Sequence, residues 1–328
     1  MKPRLLVLSY YDPAATDEAM RGLRERVEIV RVTGKNLSNR DTLTSTLAGF
    51  PIAIISGEQC DNAVFSNLPD LKLLACDGVG VDHVDLAAAT SHGVAVINAP
   101  VVHEANADFV FGLIIALSRK LLIADNAVRQ GLWNDRERYL SRDVHGATLG
   151  LMGFGRVAQA VARRARGFDM TVLAYSPHAS TQRAAELGVT IVSKAELLRR
   201  SDFLSAHVPL NASTRGLLGA AEFGAMKPGA FFINSSRGAV LDEAALIDVL
   251  RSGHLAGAAL DVLTEEPPSQ DHPLLAMPNV ILSPHMGSDT VGTHAKVFRC
   301  LADDILRFLN GDTPINLVNR DVLASLPR

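Results

Sequence analysis

Two doubly wound α/β domains are the fold class that the sequence predicts, and three observations predict it. Short apolar runs alternate with helical stretches over residues 1–100, a second series of the same kind starts near residue 147, and that second series opens on a glycine-rich turn. Alternation of this kind builds a parallel sheet with helices on both faces. In the first series the candidate strands are residues 5–8, 27–32, 52–55, 73–76 and 94–97. A long helical stretch, residues 102–130, follows, with Phe109, Leu113, Ile114 and Leu117 spaced for one buried face. In the second series the candidates are residues 148–152, 171–175, 190–192, 203–207, 230–234, 258–261 and 280–282, enough for a complete doubly wound sheet. After Pro284 come a helix over residues 293–309 and a tail over 314–320. The economical topology is discontinuous: residues 1–100 and 288–328 form one domain and residues 101–287 the other.

The turn is the most specific signal. An apolar run, residues 148–152, enters Gly153-x-Gly155-x-x-Ala158 and leaves as a helix. Gly153 permits the tight turn, Gly155 lets the backbone approach a pyrophosphate, and the small Ala158 lets the helix pack close to its strand. Free N–H groups and the positive dipole end of the helix then face the phosphates. A second strand, residues 171–175, completes a βαβ unit. At its end, where an Asp or Glu commonly binds the ribose hydroxyls of NAD, stands Ser176. A carboxylate there repels a 2′-phosphate and Ser176 does not, while His178 and Arg183 lie just downstream, so NAD and NADP are both open.

Composition excludes several classes. The 328 residues are 48% hydrophobic and 20% charged with a formal charge of −3, so no basic field for nucleic acid exists. Cys60, Cys76 and Cys300 lack ligand or disulfide-framework spacing and read as buried reduced thiols, with no metal site. The apolar start is too short for a secretory signal and residues 109–117 too short for a membrane span, which makes the cytoplasm the default address and a membrane partner unexpected.

Three late strands end in polar residues at the edge where open α/β sheets place ligands. Arg237 follows one, Asp261 and Glu266 another, and His285 the last. An Arg fork binds a carboxylate, a His exchanges the proton of a hydroxyl, and a Glu beside that His favours imidazolium. With a nicotinamide as hydride carrier, the set suits interconversion of a 2-keto and a 2-hydroxy acid.

These segments, together with residues 78–85, 98–100, 207–214, 234–238, 261–267 and 283–285, make the chain resemble the D-isomer-specific 2-hydroxyacid dehydrogenase family over nearly its whole length. The resemblance implies a flavodoxin-like substrate domain and a Rossmann dinucleotide-binding domain. It matches Arg237, Glu266 and His285 to the family's catalytic residues, and implies that Val79 and Gly80 help bind the substrate with Arg237 and His285. To the cofactor it assigns Gly153, Gly155, Arg156, Val157, Ser176, His207, Pro209, Thr214, Ser236, Asp261 and Ser288, with Asp261 beside the nicotinamide amide. The helix after Val102 implies a homodimer.

Two departures refine the expectation. Ser56, Gly57 and Glu58 stand where phosphoglycerate dehydrogenases carry a basic residue, and the chain does not continue into the regulatory domain of their longer forms, so a small unphosphorylated acid such as glyoxylate or hydroxypyruvate is expected. Residues 101–108 replace a Thr-rich helix entry, with Asp108 keeping its terminal acid. A phosphoglycerate dehydrogenase-like enzyme and an NAD(H)-sensing corepressor-like protein are the alternatives; formate oxidation is disfavoured, because Gln would stand at Glu266.

Overall fold

A computed structural model describes residues 2–11, 13–32, 37, 39–134 and 136–325, without the side chains of Ala15 and Arg136. It divides into two compact units: Met1–Val102 with Asp289–Arg328, and His103–Ser288.

In the first unit the strands are β1 (Arg4–Val7), β2 (Glu28–Arg31), β3 (Ile52–Ile55), β4 (Leu73–Cys76) and β5 (Ala95–Asn98). Helices α1 (Pro13–Ala19), α2 (Arg40–Leu47), α3 (Asn62–Ser66) and α4 (Leu86–Ser91) connect them. The order β2-β1-β3-β4-β5, parallel throughout, is that of flavodoxin-like sheets. Strands β3 and β4 are buried at every position because both faces are covered, which is why they read as unbroken apolar runs. Alternate residues serve opposite faces: Leu5, Ile52, Ile54 and Leu73 join one cluster, and Leu6, Ala53, Ile55 and Leu74 the other. Side-chain caps from Asn39, Asp61 and Asp85 start α2, α3 and α4.

The second unit opens with α5 (His103–Ser118) and α6 (Leu121–Arg129). The largely helical stretch expected over residues 102–130 is helical as two helices. Lys120, at φ 53, reverses the backbone between them, and Ser118 exchanges hydrogen bonds with Arg142 at the break. Val110, Leu113, Ile114 and Leu117 of α5 are buried, whereas Phe109 packs only partly against that core. Strands β6 (Thr148–Met152), β7 (Thr171–Tyr175), β8 (Val189–Ile191), β9 (Phe203–Ala206), β10 (Phe231–Asn234), β11 (Gly257–Leu260) and β12 (Val280–Leu282) follow. Helices α7 (Arg156–Ala165), α8 (Thr181–Glu186), α9 (Lys194–Arg200), α10 (Ala220–Gly224) and α11 (Glu243–Arg251) intervene. The seven-stranded parallel sheet, β12-β11-β10-β9-β6-β7-β8, reverses direction between β6 and β9, the crevice where a doubly wound sheet takes a nucleotide. Cores cover both of its faces: one around Leu149, Leu151, Phe203 and Phe231 against α5 and α7, the other around Leu173, Leu204, Phe223 and Phe232.

The chain returns to the first unit with α12 (Val291–Leu309), whose Val297, Phe298, Leu301 and Ile305 complete a face of the first sheet. Its buried Asp304 accepts the N–H groups of Ile315 and Asn316 and the Asn316 amide. That anchors the tail, which bridges β5 at Ile97 and Leu317, and Asn319 then takes the Val96 N–H. Cys60 and Cys76 are buried free thiols as the sequence implied, but Cys300 on α12 is only half-buried. Among the described residues no helix is long and apolar enough to cross a membrane.

Asp304→Ala leaves three donors without their acceptor. It is expected to destabilise the first unit by roughly 3 kcal/mol, measured from the denaturant unfolding of the full chain; an unchanged transition would contradict this account of the tail.

Candidate active site

Three consecutive strand ends of the second unit carry the candidate side chains Arg237, Glu266 and His285. β10 runs into a turn in which the buried Asn234 accepts the N–H and hydroxyl of Ser236 and donates its amide to the Arg237 carbonyl. Arg237 is thereby held in extended backbone, and one of its Nη groups donates to the Ser236 carbonyl at 2.8 Å. The next residue, Gly238, must lack a side chain: a Cβ there would stand 2.0 Å from the Leu263 carbonyl carbon and 2.4 Å from the Thr264 nitrogen. The Arg237 turn and the chain after β11 are therefore in backbone contact.

That second chain carries Glu266, which accepts the Leu263 N–H at 2.9 Å through Oε1 and meets His285 Nδ1 at 2.9 Å through Oε2. His285, after β12, has φ 53. It is kept there by Asp261, whose carbonyl accepts the His285 N–H at 2.8 Å. Both carboxylate oxygens of Asp261, which is only 2% exposed, are also engaged: Oδ1 takes the Ser283 hydroxyl and the Met286 N–H, and Oδ2 the Gly287 N–H.

Electrostatics suit proton transfer. Burial works against charge on Glu266, but the His285 and Leu263 hydrogen bonds and the positive charges of His285 and Arg237 prevail and hold it below the usual carboxylate range. The Glu266 hydrogen bond raises the His285 imidazole above its usual range; burial and Arg237 oppose this, while the charges of Glu266 and Asp261 reinforce it. Both side chains are more than a third exposed, so solvent screens the pair and it adds little to stability.

The glycine turn lies beside β9. Gly153 has φ +100, and a Cβ on it would come 2.6 Å from the His207 carbonyl oxygen. Gly155 is the N-cap of α7 and carries no side-chain cap, and an added Cβ there would meet nothing within 4 Å. Arg156 and Val157 are the first residues of α7, and Ala158 is fully buried. His207 Nε2 is buried without a hydrogen-bond partner among the described residues, and burial brings that imidazole down to about 4, so it is neutral. The Thr214 hydroxyl closes its own loop between the Asn211 N–H and the Pro209 carbonyl. Ser176 follows β7, and its carbonyl accepts the Ala179 N–H. Arg183 is bonded to Glu186 and to Gln159 of α7. Ser288, partly buried, ends the unit.

In the first unit Val79 and Gly80 follow β4, and Asn98 holds their loop through the Val79 carbonyl at 2.7 Å. Next to it, after β3, Glu58 turns back to accept the N–H groups of Ser56 and Gly57. Ser56 and Ser9 donate to the buried Asp77, whose carboxyl burial raises to about 7 against the pull of those hydrogen bonds.

Comparison with known proteins decides the family. Residues 111–287 match the model for the D-isomer specific 2-hydroxyacid dehydrogenase NAD binding domain. The chain belongs to this family. A glyoxylate reductase of Thermococcus litoralis is 41% identical over 82% of this chain and 83% of its own. A D-3-phosphoglycerate dehydrogenase of Archaeoglobus fulgidus is 36% identical over 93% of this chain but 58% of its own. The structure of an NADPH-dependent glyoxylate/hydroxypyruvate reductase of Sinorhizobium meliloti, in complex with NADP and malonate, superposes with a TM-score of 0.84 at 31% identity, covering 97% of each chain.

This dehydrogenase is thus an oxidoreductase that uses a nicotinamide dinucleotide on a CH–OH group. Its residues fit that cofactor: an uncapped helix N-terminus with open space before Gly155, and an unpartnered buried His207 nitrogen at the neighbouring strand end. Asn234 and Gly238, which the sequence reading took only as members of the 234–238 segment and gave no role, shape the Arg237 turn. In the first unit Asp77, which the sequence reading did not single out, lies under the Ser56 loop. Asp108, the terminal acid of the helix entry, pairs with Arg164 at 2.6 Å, and Glu104 joins it there, fastening α5 to α7.

Proposed function

We propose that the protein reduces a small unphosphorylated 2-keto acid, glyoxylate or hydroxypyruvate, to the D-2-hydroxy acid, with His285 as general acid. The observation that carries this reading is the His285–Glu266 pair at 2.9 Å, in a turn packed on that of Arg237. The reduced nicotinamide, when bound, supplies the hydride. With Nδ1 committed to Glu266, His285 gives its Nε2 proton to the carbonyl oxygen as that becomes a hydroxyl. Arg237 binds the carboxylate and polarises the carbonyl, and the backbone of Val79 and Gly80 holds the carboxylate from the substrate domain. Asp261 fixes the His285 turn, and the cofactor takes Gly153, Gly155, Arg156, Val157, Ser176, His207, Pro209, Thr214, Ser236 and Ser288 as its surroundings. Support for an unphosphorylated substrate comes from Glu58, whose carboxylate occupies the Ser56 and Gly57 N–H groups and opposes a second anion there. The names of the glyoxylate reductase relatives point the same way.

The assay is loss of nicotinamide absorbance with NADH or NADPH against glyoxylate, hydroxypyruvate, pyruvate and 3-phosphohydroxypyruvate. His285→Ala is expected to lower turnover by about a hundredfold to ten-thousandfold; a variant that turns over like the parent sinks the assignment. Reduction needs imidazolium, so activity should persist above the ordinary histidine value of about 6.5 and fall as pH rises through the raised one.

For the cofactor, we infer that NADPH is accepted as well as NADH, because Ser176 presents no carboxylate to a 2′-phosphate. Ser176→Asp should then weaken use of NADPH over NADH by at least about tenfold, the effect of one nearby like charge worth about 1.4 kcal/mol. Equal effects on both cofactors would mean that the residue does not face the ribose.

A second copy of the chain covers the apolar surface of α6 and the segment after it, where Leu121, Leu122, Val128, Leu132 and Trp133 are all exposed. Light scattering should give twice the chain mass, and the mass of one chain would refute the dimer.

A further inference from the structure

Glu266 is held by its own turn, through the Leu263 N–H, so what fixes that turn fixes the acid's partner. The adjacent N–H, that of Thr264, points the other way, to Oε1 of Glu243 at the first position of α11. Two consecutive peptide N–H groups thus serve two carboxylates, one beside His285 and one anchored in a helix. Oε2 of Glu243 lies 3.3 Å from His272 Nε2, near the far end of the same segment. The other ring nitrogen of His272 accepts the Leu274 N–H at 3.4 Å, which makes Nε2 the donor to Glu243. Both side chains are largely buried, 15% and 17% exposed, whereas Thr264, Glu265 and Glu266 are exposed. On the opposite side, Gly238 allows the Leu263–Thr264 peptide to lie flat on the Arg237 turn. An otherwise exposed segment is clamped at one peptide between the Gly238 backbone and a buried carboxylate.

We propose that Glu243 is a positioning residue for proton transfer: fixed by His272, it holds the Leu263–Thr264 peptide and so sets Glu266 against His285. The proposal rests on the reading of His285 as general acid. Glu243 touches no reacting atom; it acts through the backbone. The charges that bear on His285 are those of Glu266, Arg237 and Asp261. If Glu266 drifts, Arg237 is no longer balanced and the imidazole loses its proton at a lower pH. A displacement of about 1 Å at a positioned group can cost up to a hundredfold in rate.

The test is the pH profile of glyoxylate reduction by the full chain with saturating NADH, for Glu243→Ala, Glu243→Gln, His272→Ala and the control His285→Ala. Glu243→Ala is expected to lower kcat about tenfold and to move the alkaline limb down toward pH 6.5, the ordinary histidine value of about 6.5, with the KM for NADH unchanged. Glu243→Gln should recover most of the rate, because an amide oxygen still accepts the Thr264 N–H. A merely structural role would change folded yield or melting temperature and leave the limb in place. A folded Glu243→Ala with the parent limb therefore overturns the proposal. If that variant does not fold, His272→Ala decides on the same criterion: a limb shifted in the same direction supports the proposal, and the parent limb overturns it. The two readings fail separately. An inactive His285→Ala beside a parent-like limb in Glu243→Ala sinks only the positioning role, whereas a fully active His285→Ala removes the acid itself and the proposal with it.

Discussion

A carboxylate buried at the end of β11 governs the geometry of the candidate site. Asp261 has almost no access to solvent, and a buried charge must find donors. It finds the Ser283 hydroxyl and the Met286 and Gly287 N–H groups, all from the turn that follows β12. Gly287 can approach only because it has no Cβ; one would stand 2.9 Å from Asp261 Oδ2 and from the Asn106 amide. Closing the turn on Asp261 puts His285 into a left-handed conformation that costs a non-glycine residue about 1 kcal/mol or more. The Asp261 carbonyl then takes the His285 N–H, so the same residue imposes that conformation and holds it.

The fold was legible because a parallel sheet covered on both faces writes itself as short unbroken apolar runs, and each such run became a strand within a residue or two of where it was read. The break within residues 102–130, which the sequence did not show, has a definite cause. Apolar spacing measures which face is buried and is blind to one residue that reverses its φ, so Lys120 split a pattern that looked continuous. Phe109, counted on the buried face, is only partly covered for a related reason: Ala107 and Val110, on either side of it, take the core positions.

The candidate trio could be picked out in the sequence because each member follows an apolar run, at the edge where open α/β sheets collect ligand-binding groups. What supports the trio could not. Gly238 is separated by 25 residues from the peptide it must clear, and Glu243 by 21 from the N–H it accepts. Such pairings are set by the distance between neighbouring strand ends in space, which no local spacing records. Asp108 is a related case. The sequence marks it only as the acid that ends the helix entry, and no local spacing records that Arg164, partly buried on α7, takes its carboxylates from α5.

The same arrangement explains why Glu266 is needed at all. Arg237 suits a substrate carboxylate, but its positive charge lowers the proton affinity of His285. Two cations in one place work against each other. Glu266 removes the conflict by offering His285 a charged hydrogen-bond acceptor, and it stays ionised because His285, the Leu263 N–H and Arg237 all favour its negative form over the cost of burial. Each partner thereby maintains the protonation state of the other. A loosely held carboxylate would lose this advantage, since its benefit depends on the 2.9 Å contact with Nδ1. The turn that carries Glu266 is exposed, and exposed turns are the parts of a fold that open at the smallest free-energy cost. Precision there has to be imported from buried groups, and in this chain the Gly238 backbone, Glu243 and His272 are the groups in contact with it.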